Sequence, residues 1–149
     1  MRLWRLFVAA WLALAVLFPG AARAQDVLAV PPLSGRVIDQ TGTLSAAQAQ
    51  ALSVKLAAVE AKRGSQIVVL MVPSTGIEDI ASFAQRVGDT WKIGRREVGD
   101  GALIVVAKDD RRVRIEVAKA LEGAIPDLAA RRIISERISP AFRANDYAG

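Results

Sequence analysis

The sequence has no cysteine and no histidine in its 149 residues. Without cysteine there is no disulfide framework, so the core alone must hold the fold. The two absences together remove Ser-His-Asp and Cys-His catalysis from this chain. Zinc sites built from His or Cys are excluded as well. What stays open is carboxylate chemistry, hard cations such as Ca²⁺ or Mg²⁺ on oxygen ligands, or binding without chemistry. Tryptophan is also scarce. Of the three, Trp4 and Trp11 fall in an N-terminal leader, so Trp91 alone belongs to the fold.

The leader is residues 1–24. Arg2 and Arg5 precede an unbroken apolar run from Leu6 to Phe18, followed by Pro19-Gly20 and then Ala22-Arg23-Ala24. A charged start, a short apolar run, a helix breaker and a small-residue cleavage site read as a secretory signal, with Gln25 as the new N-terminus. The run falls short of the about 20 residues of a membrane span. An uncleaved anchor and a buried core helix are the alternatives. The expected location is the periplasm or the extracytoplasmic face of a membrane. Arg2, Arg5 and Arg23 leave with the leader, which takes the net charge from +5 to +2. Such a balanced domain makes no case for nucleic acid, which wants a clustered basic face. About 125 residues remain, enough to bury one core.

Residues 25–35 read as a linker, because Pro31-Pro32 disfavours helix and pushes Val30 to extended geometry. Residues 36–149 read as one domain. Arg36-Val37-Ile38-Asp39 is a short strand or extended arm. Ser45-Ala46-Ala47-Gln48 fits a capping box, with Leu44 placed as a staple. Ala49, Leu52, Leu56 and Val59 then recur at helical spacing up to Lys62-Arg63-Gly64, which are stop signals. Gln66–Val72 is a nearly continuous β-branched run, the pattern of a strand covered on both faces. Glu78 and Asp79 open a second helix whose apolar stripe is Ile80, Phe83, Ala84, Val87 and Trp91.

From Asp100 the pattern changes. Residues 101–107 are apolar, Lys108-Asp109-Asp110-Arg111 is a turn, and residues 111–117 alternate charged and apolar, so the two runs pair as an antiparallel hairpin. Pro126 suits the first position of a further helix. Ser139-Pro140 is expected to stop that helix and start another. The fold class is α/β: a three-layer αβα sandwich around a small mixed sheet.

The acidic candidates are Asp39, Asp100, Glu122 and Asp127, all at element ends. Each has a plain alternative as a turn residue. Only a fold that gathers them makes a site. Gathered carboxylates repel one another, so the cluster requires Ca²⁺ or Mg²⁺, or raised pKa values. Asp109-Asp110 reads as a solvated turn. Arg112 and Arg114 point to one face of a strand, where they either meet phosphate or guard an edge against aggregation.

Several stretches carry a family resemblance: VPPLSGRVIDQTGTLSAAQAQAL, QIVVLMVPS, GDGALIVVAKDDRRVRIEVAKALEGAIPD and ISPAFRANDYAG. Together they resemble the TPM-domain family, including its YgcG-like bacterial members, from Val30 to Gly149. The resemblance implies an α/β sandwich that is exported and tethered by a following transmembrane segment. It also implies service to a membrane protein complex, or the acid phosphatase activity reported for some plant relatives that act in photosystem II repair. On either reading Asp39, Asp100, Glu122 and Asp127 match recurrent acidic positions and are the expected Ca²⁺ or Mg²⁺ ligands. As a phosphatase, the protein would place Arg114 on the substrate. One departure stands out. Where the family has Gly-Tyr-Gly before Leu-Glu-Gly, this chain has Ala118-Lys119-Ala120, which stiffens the loop and adds a cation.

Overall fold

The computed structural model describes residues 26–149, so the expected signal segment lies outside the described residues. Four strands form one sheet in the order β1-β2-β3-β4: Val37–Asp39, Ile67–Val72, Ala102–Ala107 and Arg112–Val117. The first three are parallel, and β4 returns antiparallel to β3. Helix α1 is Ala46–Arg63 and α2 is Ile80–Trp91. A short 3₁₀ turn, Lys119–Leu121, leads into α3, Asp127–Ile133, and the chain closes with α4, Ser139–Arg143. Among the described residues no helix is long and apolar enough to cross a membrane.

Strand alternation divides the core in two. Val68, Leu70 and Val72 of β2 join Leu103, Val105 and Ala107 of β3 on one face, covered by Phe83, Ala84 and Val87 of α2. Val69, Met71 and Val106 point to the other face, against Leu52 and Leu56 of α1 and Phe142 and Tyr147 at the C-terminus. This is the three-layer αβα sandwich. Phe83, Ala84 and Val87 are wholly buried, whereas α1 buries no residue completely and leaves Val54 57% exposed. The α2 face is therefore the main core. The connections β1-α1-β2 and β2-α2-β3 step in the same direction across the sheet while their helices lie on opposite faces. One of the two must have the uncommon left-handed sense.

The helix ends follow their sequence signals. The Ser45 hydroxyl accepts from the Gln48 N–H at 3.2 Å, and the Gln48 side chain accepts from the Ser45 N–H at 2.9 Å, completing the capping box. Gly64 closes α1 with φ of 78°, a left-handed position natural to glycine. Asp79 caps α2 through the N–H groups of Ala81 and Ser82.

Three features differ from expectation. Residues 28–31, inside the segment read as a linker, lie against α2: Leu28 and Val30 pack on the core, and Pro31 is buried. The Trp91 indole N–H donates to the Pro31 carbonyl at 2.8 Å, and Arg86 donates to the Leu28 carbonyl at 2.6 Å. Second, Ser139-Pro140 starts α4 as expected, but the chain reaches it without leaving helical geometry. The residues between α3 and α4, Ile134–Ile138, form a wide π-type turn whose bond runs from the Ser139 N–H to the Ile134 carbonyl. Proline clashes with the carbonyl four residues back, and widening the preceding turn relieves that clash. Third, the chain leaves helical geometry at Ala144, so residues 145–149 do not extend the helix. Tyr147 folds back onto Phe142, ring centroids 4.6 Å apart.

Candidate functional site

Sheet register locates the acidic candidates. Asp39 ends β1 and pairs with Met71, which pairs with Val106. Asp100 precedes Val106 by six positions on the β3 side, so about 20 Å of strand separates the two carboxylates along the sheet. They stand at opposite ends. Glu122 follows the 3₁₀ turn at the Asp100 end, where the Ala118 N–H donates to the Gly101 carbonyl at 2.8 Å, and it is exposed. Asp127 starts α3, is exposed, and comes within 3.9 Å of Arg114. The expected four-carboxylate ligand sphere is therefore not formed. Among the described residues no group of three or more acidic side chains is disposed to hold a metal. The physical reason is topological: parallel β1 and β3 carry their termini at the same ends, but Asp39 follows its strand while Asp100 precedes its own.

Asp39 and Asp100 are each already occupied. One Asp39 oxygen accepts from the Thr41 N–H at 2.7 Å and the Thr41 hydroxyl at 2.5 Å; the other accepts from the Leu44 N–H at 2.8 Å. Burial pushes the Asp39 carboxyl up, but the bonds from Leu44 and Thr41 together outweigh it and hold its pKa below the ordinary value. The residue fixes the entry to α1. Asp100 is 3% exposed. It accepts from the Arg95 Nε–H and the Arg95 backbone N–H, both at 2.8 Å, with the guanidinium 2.6 Å away. The Arg95 side-chain bonds, then its N–H, hold the Asp100 carboxyl below the ordinary range.

Nothing in the sequence between Trp91 and Asp100 singles out Arg95. Gly94 and Gly99 flank it, both with positive φ, and let the loop fold tightly enough for a five-residue return. Gly94 and Gly101 approach each other so closely that a Cβ on Gly101 would lie 2.0 Å from the Ile93 carbonyl oxygen. A groove of about 700 Å³ opens beside this loop, with Asp89, Arg95 and Glu116 in its lining. Arg114 sits along β4 and donates twice to Glu116, at 3.1 and 3.0 Å, so its fork is turned to a neighbour on its own strand.

The opposite end of the sheet holds a second constellation. Asp110, in the β3–β4 turn, accepts from the Ser74 hydroxyl at 2.8 Å and from the Thr75 N–H at 2.9 Å. The Thr75 N–H, then the Ser74 hydroxyl, hold its carboxyl below the ordinary range. Thr75 is 2% exposed and donates to the Glu78 carbonyl at 2.7 Å. Asp110 thus ties the hairpin to the β2–α2 loop; it is no idle solvated residue. The hint in the sequence was Pro73-Ser74-Thr75-Gly76, a hydroxyl-rich turn in want of an acceptor. Next to it a groove of about 770 Å³ lies between the turn and the C-terminal helix.

Comparison with known proteins agrees with this architecture. The TPM domain family model matches residues 37–149. The N-terminal domain of a P. gingivalis protein, solved by solution NMR, is similar at 35% identity, with a TM-score of 0.70, over 80% of this chain and 79% of that one. An N-terminal domain from Corynebacterium glutamicum shares the fold at 20% identity, with a TM-score of 0.63, over 83% of this chain and 78% of that one. Comparison with curated proteins finds no match. On the family match and the P. gingivalis likeness, this chain belongs to the TPM domain family.

Proposed function

We propose that the domain is an exported, membrane-tethered adaptor that assists or maintains a membrane protein complex. The observation that carries this reading is the state of the Asp39 and Asp100 carboxylates. Asp39 and Asp100 hold internal donors on both oxygens, and both have lowered pKa values. A general acid needs a pKa raised towards neutrality, and a nucleophile needs a base beside it. Arg95 locks Asp100 to its own loop, and Asp39 is a turn-maker. These side chains shape surfaces and do not supply protons. The four expected cation ligands do not share a sphere among the described residues. The P. gingivalis relative is an N-terminal domain of its protein, an arrangement compatible with a tether that follows the domain.

The test is a pull-down of the tagged full-length protein from detergent-solubilised membranes after in-cell cross-linking. The reading expects one membrane complex to be recovered, and that complex to be lost faster in cells lacking the gene. Hydrolysis of p-nitrophenyl phosphate by the purified protein, stimulated by Mg²⁺, Mn²⁺ or Ca²⁺ and abolished in a folded Asp100→Asn variant, would overturn it in favour of a phosphatase.

A further inference from the structure

We infer that the groove between the β3–β4 turn and the C-terminal helix docks an acidic, apolar-flanked peptide segment of a partner protein. The inference rests on the adaptor reading and gives the chemistry of its partner. The groove's volume of about 770 Å³ lies within the range of about 300–1,000 Å³ typical of ligand sites. Its polar lining is unbalanced: Lys108, Arg111 and Arg143 stand against one carboxylate, Asp109, while Arg112 borders it but pairs with Ala107 and so projects from the α2 face of the sheet. Among the described residues these three cations make no ion pair within 4.0 Å. Arg111 and Arg143 are exposed. The floor is apolar, with Val106 and Val113 from the sheet and the stacked rings of Phe142 and Tyr147. The Lys108 ammonium lies 5.5 Å from the Tyr147 ring centre, so the cation rim and the aromatic floor are one surface.

A cationic rim around an aromatic floor suits carboxylates spread along a chain whose apolar side chains meet the rings. A compact phosphate is served better by a helix N-terminus or a nest of N–H groups. Here α4 lines the groove through Ser139, Phe142 and Arg143, and its first N–H, of Ser139, is already bonded to the Ile134 carbonyl. Arg111 is fixed in the turn at φ of 54°, with its N–H donating to the Lys108 carbonyl at 3.1 Å.

The experiment uses fluorescence anisotropy with a labelled peptide of alternating glutamate and leucine, its glutamine-for-glutamate counterpart, inorganic phosphate as competitor, and phosphatidylglycerol vesicles. The expected result is saturable, salt-weakened binding of the acidic peptide alone. The affinity should fall at least about tenfold in the double variant Arg111→Gln with Arg143→Gln, and also in Tyr147→Ala. Lys55→Gln, on the exposed side of α1, should leave it unchanged, and thermal melting checks that each variant is folded. No saturable binding, equal binding of the glutamine peptide, or insensitivity of a folded double variant overturns the inference. So does tighter capture by the vesicles, or displacement by phosphate, with the same residue dependence. If the peptide fails while the full-length protein still recovers its membrane complex, the docking site is wrong and the adaptor reading stands. If the peptide binds but no complex is recovered, the adaptor reading fails by itself.

Discussion

Gly101→Ala is expected to be far more damaging than a single added methyl suggests. A Cβ at this position would lie 2.0 Å from the Ile93 carbonyl oxygen and 2.3 Å from its carbon. Both are backbone atoms, so no side-chain rotation relieves the overlap. The loop carrying Ile93, Gly94 and Arg95 has to draw away from the start of β3. That movement strains two bonds: Gly94 N–H to the Gln66 side-chain oxygen at 2.9 Å, and Ala118 N–H to the Gly101 carbonyl at 2.8 Å. Overpacking of this kind costs about 1–3 kcal/mol, and each lost bond adds about 1 kcal/mol. The total is about 3–5 kcal/mol, a large share of the about 5–15 kcal/mol that holds a domain together. For a domain of this size the melting temperature should fall by about 10–20 °C. The assay is thermal unfolding followed by circular dichroism, with Gly88→Ala as the matched control. Gly88 lies within α2 with no atom near its would-be Cβ, so alanine there should gain about 0.5–1 kcal/mol. A Gly101→Ala protein melting within about 2 °C of the parent would refute the close approach and the Arg95–Asp100 geometry built on it.

Stability should be level through neutral pH and fall in acid. Asp39, Asp79, Asp100 and Asp110 all have folded pKa values below the ordinary 3.8. Each therefore contributes stability that is present above that value and lost as pH falls through the lowered one. Melting across an acid series checks this, and Asp100→Asn should flatten the acid limb while lowering the neutral plateau. Ser45→Ala removes the hydroxyl half of the capping box and should cost about 1 kcal/mol in urea unfolding, with an unchanged denaturant slope. Phe83→Ala empties the centre of the α2 face, where the ring is wholly buried, and should cost about 3–5 kcal/mol, read as a shift in the urea midpoint. A loss below about 1 kcal/mol would mean that the α2 face is not the main core.

Local signals were legible because they act over few residues. The apolar run of β2, the stripe of α2, the Ser45 capping box and the Gly64 stop each place their element within a residue or two. The hairpin was equally clear, since an alternating run beside an apolar one has a single good partner across a short turn. Pro140 was misread because local chemistry says stop, whereas packing of Phe142 against Val106 and Val113 keeps the helical path and displaces the strain into a π-type turn. Packing of residues 28–31 is not legible in the sequence of the 25–35 segment, because its bonds go to Trp91 and Arg86, 60 and 58 residues away.

By itself the sequence determined the fold class, the order of elements, the family and which chemistries are impossible without histidine and cysteine. These follow from composition and from periods of a few residues. Tertiary structure alone decided which charged residues meet. Asp39 and Asp100 look like two halves of one site in a string of letters. Strand direction sends them to opposite ends of the sheet, and each binds donors from its own loop. The basic groove arises the other way: cations from the β3–β4 turn and the end of α4 become neighbours only because both elements close over the same face. Register and chain direction fix such meetings, and neither is written in the spacing of residues along the chain.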